Sequence, residues 1–284
     1  MWFSADNLVL TAAQAACVAL PAAGLPAWLR RFRGGAWALV LPLSIAVVVA
    51  AIALAPWSAD VLTWVALLLV PPGAALALGW AAHGARPALA LLAAPLLALA
   101  WTAQDARHGQ LAAAALIALS AVTLGRLVAG AAPLALLKAG LVAMAAVDAY
   151  LVFSNRLQGP NAVLVAAAPG PGLPQLQSLA FGHAGLGYGD VFAAAVLGGV
   201  LAAERGPQAL AAAALLPVSL AWDQLFLVYD VLPATIPPAI VLLLVEGWRY
   251  AGGPRRRPVP RRRAWGPPKW GSREASGPQG STRR

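Results

Sequence analysis

Apolar residues in this chain come in long unbroken runs, not at every second or every third to fourth position. From Ala36 to Ala55 no charged residue occurs, and about 20 such residues are what a helix needs to cross the hydrocarbon core of a bilayer. Comparable runs are centred near residues 18, 45, 70, 95, 118, 145, 195, 215 and 241. Lipid offers no hydrogen-bond partners, so each run must satisfy its own backbone as a helix or within a closed barrel, and these runs lack the alternation of barrel strands. The expected fold is an all-α polytopic bundle of about nine transmembrane helices. It would fill residues 1–250, with the part that carries chemistry at about 133–250.

Composition agrees with this pattern. With 61% hydrophobic and 11% charged residues and a mean hydropathy of +0.74, the chain has too little polar surface for a soluble domain. Met1 to Leu10 carries Asp6 and no basic residue, unlike the positively charged start of a cleavable signal. If the N-terminus is external, strict alternation puts Arg30, Arg31, Arg33, Arg86, Arg126, Lys138 and Arg205 at cytoplasmic ends and leaves Arg107 and Arg156 outside. That distribution satisfies the positive-inside rule. The expected location is the cell membrane, with the N-terminus outside and the C-terminus in the cytoplasm. From residue 251 to 284 the chain turns to Arg, Pro, Gly and Ser, and Arg255 to Arg257 and Arg261 to Arg263 form two basic clusters opposed by one acid, Glu274. Such a stretch cannot bury enough surface to fold. A disordered tail is expected, held near anionic lipid headgroups, and no motif suggests a specific nucleic acid. Cys17 is the only cysteine, so neither an internal disulfide nor a cysteine metal cluster is available. It is expected to face lipid or pack in the core, and no cofactor or metal is expected.

Charge inside a membrane helix costs about 2.5–3.5 kcal/mol on insertion scales, so each instance is a functional candidate. Asp148 lies in the apolar run from Leu141 to Phe153, and Asp190 follows the glycine-rich segment Gly185-Leu-Gly-Tyr-Gly189. The two runs are expected to be antiparallel, which lets the carboxyls meet. Two carboxyls in a low-dielectric site cannot both ionise: one stays protonated while the other acts as base. That pairing suits hydrolysis of an amide, one group activating water and the other donating to the carbonyl oxygen. Gly187 and Gly189 would allow a non-helical entry into the span. Taken alone, Asp148 could be a buried carboxyl bonded to a neighbouring helix or part of a proton path, and Asp190 could be a helix cap. Downstream, Leu232-Pro-Ala-Thr-Ile-Pro237-Pro238-Ala239-Ile240 opens the last run. Proline suits a helix start, and three prolines also loosen backbone at membrane depth.

This constellation resembles the presenilin and signal peptide peptidase family of intramembrane aspartyl proteases. That family carries Tyr-Asp, Gly-x-Gly-Asp and Pro-Ala-Leu in that order; here stand Asp148, then Gly187-Tyr188-Gly189-Asp190, then Pro238-Ala239-Ile240. Asp148-Ala-Tyr-Leu-Val-Phe153 followed by Asn161-Ala-Val-Leu-Val165 is similar to the corresponding stretch of signal peptide peptidases. The likeness covers about the last hundred membrane residues. It implies that Asp148 and Asp190 are the catalytic pair, that Gly187, Tyr188 and Gly189 with Pro238, Ala239 and Ile240 contact an unwound substrate, and that the substrates are transmembrane proteins or signal peptides. Two positions depart from the family: Val147 replaces the tyrosine, with Tyr150 as the nearby candidate to supply a hydroxyl from a neighbouring face, and Ile240 replaces the leucine.

Other readings fit fewer residues. Leu186-Gly-Tyr-Gly-Asp190 is similar to a potassium-channel filter, but Gly185-Leu186 stands where Thr-Val is required. Type IV prepilin peptidases also use Gly-x-Gly-Asp, with Ile-Pro-Asn after the first aspartate and Val-Lys after the second; this chain has Phe153-Ser-Asn155 and Val191-Phe192. In a proton- or cation-coupled transporter the two aspartates would bind the ion beside broken helices, yet no internal repeat is visible. His183 is expected in a loop, and Asp223 and Asp230 near external ends of the last two spans.

Overall fold

The computed structural model describes residues 5–229 and 231–252; Asp230 and the basic tail from residue 253 onward, with Glu274, lie outside the described residues. Ten α-helices make up most of the rest: α1 (Ala5–Ala19), α2 (Val40–Leu54), α3 (Ser58–Leu76), α4 (Ala93–Thr102), α5 (Arg107–Ala131), α6 (Leu134–Phe153), α7 (Gln158–Ala166), α8 (Tyr188–Ala203), α9 (Gln208–Asp223) and α10 (Ile236–Tyr250). A hairpin of β1 (Ser178–Phe181) and β2 (Ala184–Gly187) precedes α8, paired antiparallel from Ser178 opposite Gly187 to Phe181 opposite Ala184.

Among the described residues five stretches are long and apolar enough to cross a membrane: Gly35–Leu54, Ser58–Ala81, Arg107–Ala131, Leu134–Phe153 and Gln208–Leu227. The expectation of about nine such spans is therefore met in length by five. Helices also occupy the other four apolar runs, but α1 and α10 have 15 residues, α8 has 16 and α4 has 10. At 1.5 Å per residue even 16 residues reach only about 24 Å, short of the ~30 Å core. Part of three of these runs goes into another conformation: the hairpin takes the residues before α8, the turn from Leu232 to Thr235 those before α10, and a 3-10 turn, Pro87–Leu92, those before α4.

The core centres on α8, in which every residue from Val191 to Ala202 is buried. Its close neighbours are α5 and α1. A Cβ on Gly199 would fall 2.6 Å from the Gly125 carbonyl oxygen, and one on Gly198 would fall 2.8 Å from that of Cys17. Glycine at these crossings lets backbones touch, the small-residue packing that replaces hydrophobic driving force between helices in lipid. Cys17 belongs to this core, its thiol 3.5 Å from the Ala118 carbonyl. Outward faces are strongly apolar, with Leu54, Trp57, Leu68, Leu69 and Leu91 all exposed. An apolar surface this extensive suits lipid and would be insoluble in water.

Inter-helix bonds gather the helix ends into two opposite layers. In one, Ala22 N–H donates to Ala81 O (2.9 Å), His83 N–H to Leu20 O (2.8 Å) and Gly34 N–H to Ala131 O (3.0 Å), while Gln208 Nε2 reaches Val18 O and Pro21 O at 2.8 and 2.9 Å. Arg126 binds the Gly24, Ala23 and Trp80 carbonyls here and lies over the Trp80 ring. At the opposite layer, His183 N–H donates to Asp6 Oδ2 (3.2 Å) and Gly182 N–H to Gln110 Oε1 (2.9 Å), pinning the hairpin tip to α1 and α5. His183 thus sits in the hairpin turn, and Asp223 closes α9.

Candidate functional site

Asp148 sits in the fourth turn of α6 and is 5% exposed. An apolar helix with no nearby base leaves it only partners from other elements, and Thr235 supplies one: its hydroxyl donates to Asp148 Oδ2 at 2.6 Å. Asp190 is half-buried in the first turn of α8. It is the third helical residue, not the cap, and its Oδ2 accepts the Gly187 N–H at 3.0 Å. This closes the first turn as the acidic half of a capping box does. At least one carboxyl oxygen of each aspartate is thereby anchored.

The two aspartates are close enough for their charges to interact. Antiparallel packing of α6 on α8 produces this: Gly189 faces Met144, one turn before Asp148, with room for a Cβ 3.7 Å from Met144 Cε. Gly187 ends β2, so the extended entry expected from the glycines is present up to that residue, while Tyr188 and Gly189 already belong to α8. The Tyr188 hydroxyl lies 2.9 Å from Ser120 Oγ of α5, and Ser120 is buried. Gly187 is exposed, whereas Tyr188 and Gly189 are half-buried.

Pro237 and Pro238 occupy the second and third positions of α10, after Thr235 and Ile236. Pro238 and Ala239 are buried and Ile240 is half-buried. The first turn is loosely bonded: Ile236 N–H to Pro233 O measures 3.5 Å and Ala239 N–H to Thr235 O 3.4 Å. Thr235 therefore links the segment that leads into the proline motif to Asp148, and Asp190 lies within range of the Asp148 charge. Tyr150 is not part of this site. Its side chain is 58% exposed and carries the Arg156 guanidinium 5.7 Å from its ring centre, because two residues beyond Asp148 the helix has turned by about 200°. The tyrosine missing at Val147 has no substitute from that position.

Three polar residues at the site were not singled out by the sequence: Thr235, Ser120 and Gln14, the last on α1 with its amide 3.4 Å from Ala234 O. All three are buried. A second omission lies at the other end of the same helices. Lys138 of α6 pairs with Glu204 (2.6 Å) and Glu246 (3.0 Å), and Arg249 of α10 pairs with Glu204 and with Glu246 (2.8 Å). Burial alone would raise the Glu204 carboxyl, but Lys138 and Arg249 outweigh it and hold the group below the ordinary glutamate range. Between this quartet and the aspartates a groove of about 460 Å³ runs between α6 and α10, lined by Lys138, Ala139, Val142, Ala143, Ala146, Leu242, Leu243 and Glu246. It ends short of Asp148.

No protein-family model, curated protein or solved structure matches the chain.

Proposed function

We propose that this chain is an intramembrane aspartyl endopeptidase, similar in its site to presenilins and signal peptide peptidases, with Asp148 and Asp190 as the catalytic pair. One observation carries the reading: two carboxyls on neighbouring apolar helices lie within range of each other's charge, and the turn before the proline helix bonds one of them, Asp148, through Thr235. A pair of acids in a low-dielectric site holds one proton between them. The charged carboxyl takes a proton from water as the water oxygen bonds to the amide carbon, and the neutral carboxyl donates to the carbonyl oxygen. As the tetrahedral hydrate collapses, the carboxyl that holds the water's proton gives it to the nitrogen, the other carboxylate takes a hydroxyl proton as the carbonyl re-forms, and the C–N bond breaks to release the amine and the new acid.

Nine crossings fit this reading: the four shorter helices would meet the bilayer surface through the hairpin, the proline segment and the connecting turns. The end layer with Arg33, Arg126, Lys138 and Arg249 would be cytoplasmic by the positive-inside rule, and the layer with the hairpin and the aspartates external. Substrates would be single-span proteins or signal peptides cut in the outer part of the membrane. Replacing Asp148 or Asp190 with Asn keeps side-chain volume and removes the acid or the base. Each variant is expected to fold with unchanged helicity and to lose cleavage of a single-span peptide; near-normal cleavage by either one ends the proposal.

A further inference from the structure

We infer that Thr235 is a positioning residue that orients the Asp148 carboxyl, and that Gln14 of α1 fixes the turn on which Thr235 sits; this rests on the proteolytic reading above. Thr235 precedes α10 where a cap residue stands. A capping threonine accepts from the N–H of the second or third helical residue, but here those residues are Pro237 and Pro238, which have no N–H. Thr235 accordingly makes no side-chain cap bond, and its hydroxyl is directed at Asp148 Oδ2 instead, at 2.6 Å. The prolines thus remove the local partner that would otherwise hold the threonine on its own helix.

Burial makes this contact consequential. Thr235 is 1% exposed, so water cannot replace its hydroxyl, and a carboxylate oxygen deprived of a buried donor is left unsatisfied. The Thr235 hydroxyl at Oδ2 and the Thr235 backbone, which also bonds this carboxyl, orient Asp148 from one turn. The turn that carries Thr235 is held in its turn by Gln14 of α1, 3% exposed, whose amide donates to the Ala234 carbonyl at 3.4 Å. A buried amide in a membrane helix is costly without a partner. Its placement beside this turn gives α1, a helix outside the motifs, a direct role in the site.

The test uses the purified full-length chain and a single-span peptide, with kcat and KM measured for Thr235→Val, Thr235→Ser, Gln14→Leu and the Gln14→Leu/Thr235→Val double variant. Valine keeps the volume and removes the hydroxyl, so kcat is expected to fall about 10-fold or more, as for loss of a buried bond to a charged group, with KM nearly unchanged. Serine keeps the hydroxyl and is expected to retain most of the activity. Gln14→Leu should lose less than Thr235→Val, and the double variant should be no worse than Thr235→Val, because both act through one contact. Thr235→Val as active as the unaltered chain, beside an inactive Asp148→Asn, overturns the inference and leaves the protease reading standing. Equal losses in Thr235→Val and Thr235→Ser, or a change in KM alone, assign Thr235 to packing and also overturn it. An unaltered chain that never cuts overturns both.

Discussion

Asp148 and Asp190 were legible because a charge in a long apolar run has no inexpensive explanation. Thr235, Gln14 and Ser120 were not, because neutral hydroxyls and amides occur in membrane helices as ordinary packing and only their partners distinguish them. Glu204, Glu246, Lys138 and Arg249 are each unremarkable at a helix end, and only the three-dimensional pairing makes a quartet of them. That quartet predicts a pH dependence. A glutamate held below its ordinary range stabilises the folded chain fully above its unfolded pKa and loses that contribution as pH falls through the depressed folded value. Thermal unfolding in detergent should therefore show the protein losing stability as pH drops below the ordinary glutamate value of about 4.3, whereas Glu204→Gln should start less stable and lose less over the same interval. Parallel curves for the two proteins would remove Glu204 from the account.

Among the elements, α8 and α10 share a design in which the helix starts late. Glycine permits β2 to run extended to Gly187, and the prolines leave the first turn of α10 with bonds of 3.4–3.5 Å. Late starts were only partly legible: hydropathy reports where apolar residues lie but not where an apolar run switches from strand or turn to helix, which is why about nine full spans were expected and five have the length. A transmembrane substrate is helical, and its amides must be unwound before water can reach a carbonyl, exposing polar groups at several kcal/mol each in lipid. The loose first turn of α10 beside Asp148 suits gripping such an opened segment. Pro238→Ala restores an N–H and a regular first turn. It is expected to slow cleavage of full helical substrates strongly and of a short, already extended peptide much less; equal losses on both would show that Pro238 acts on the aspartates alone.

For the whole molecule, the proposal of a cytoplasmic basic layer and an external hairpin predicts an orientation. A cysteine placed at Ser178, in β1, should be labelled by a membrane-impermeant reagent added outside intact cells, and one at Ser272, in the basic tail, should not; the reverse pattern would invert the molecule in the bilayer. The central claim is that the paired aspartates hydrolyse a peptide bond within the membrane, and mass spectrometry of the products tests it most directly. Purified protein in lipid vesicles, given a single-span peptide in water enriched in the heavy oxygen isotope, should yield two fragments cut inside the apolar segment. The new carboxyl terminus should carry the heavy oxygen from the attacking water, and Asp148→Asn and Asp190→Asn should yield neither fragment. An intact peptide after prolonged incubation with the unaltered chain, or fragments that persist in both variants, would contradict the account.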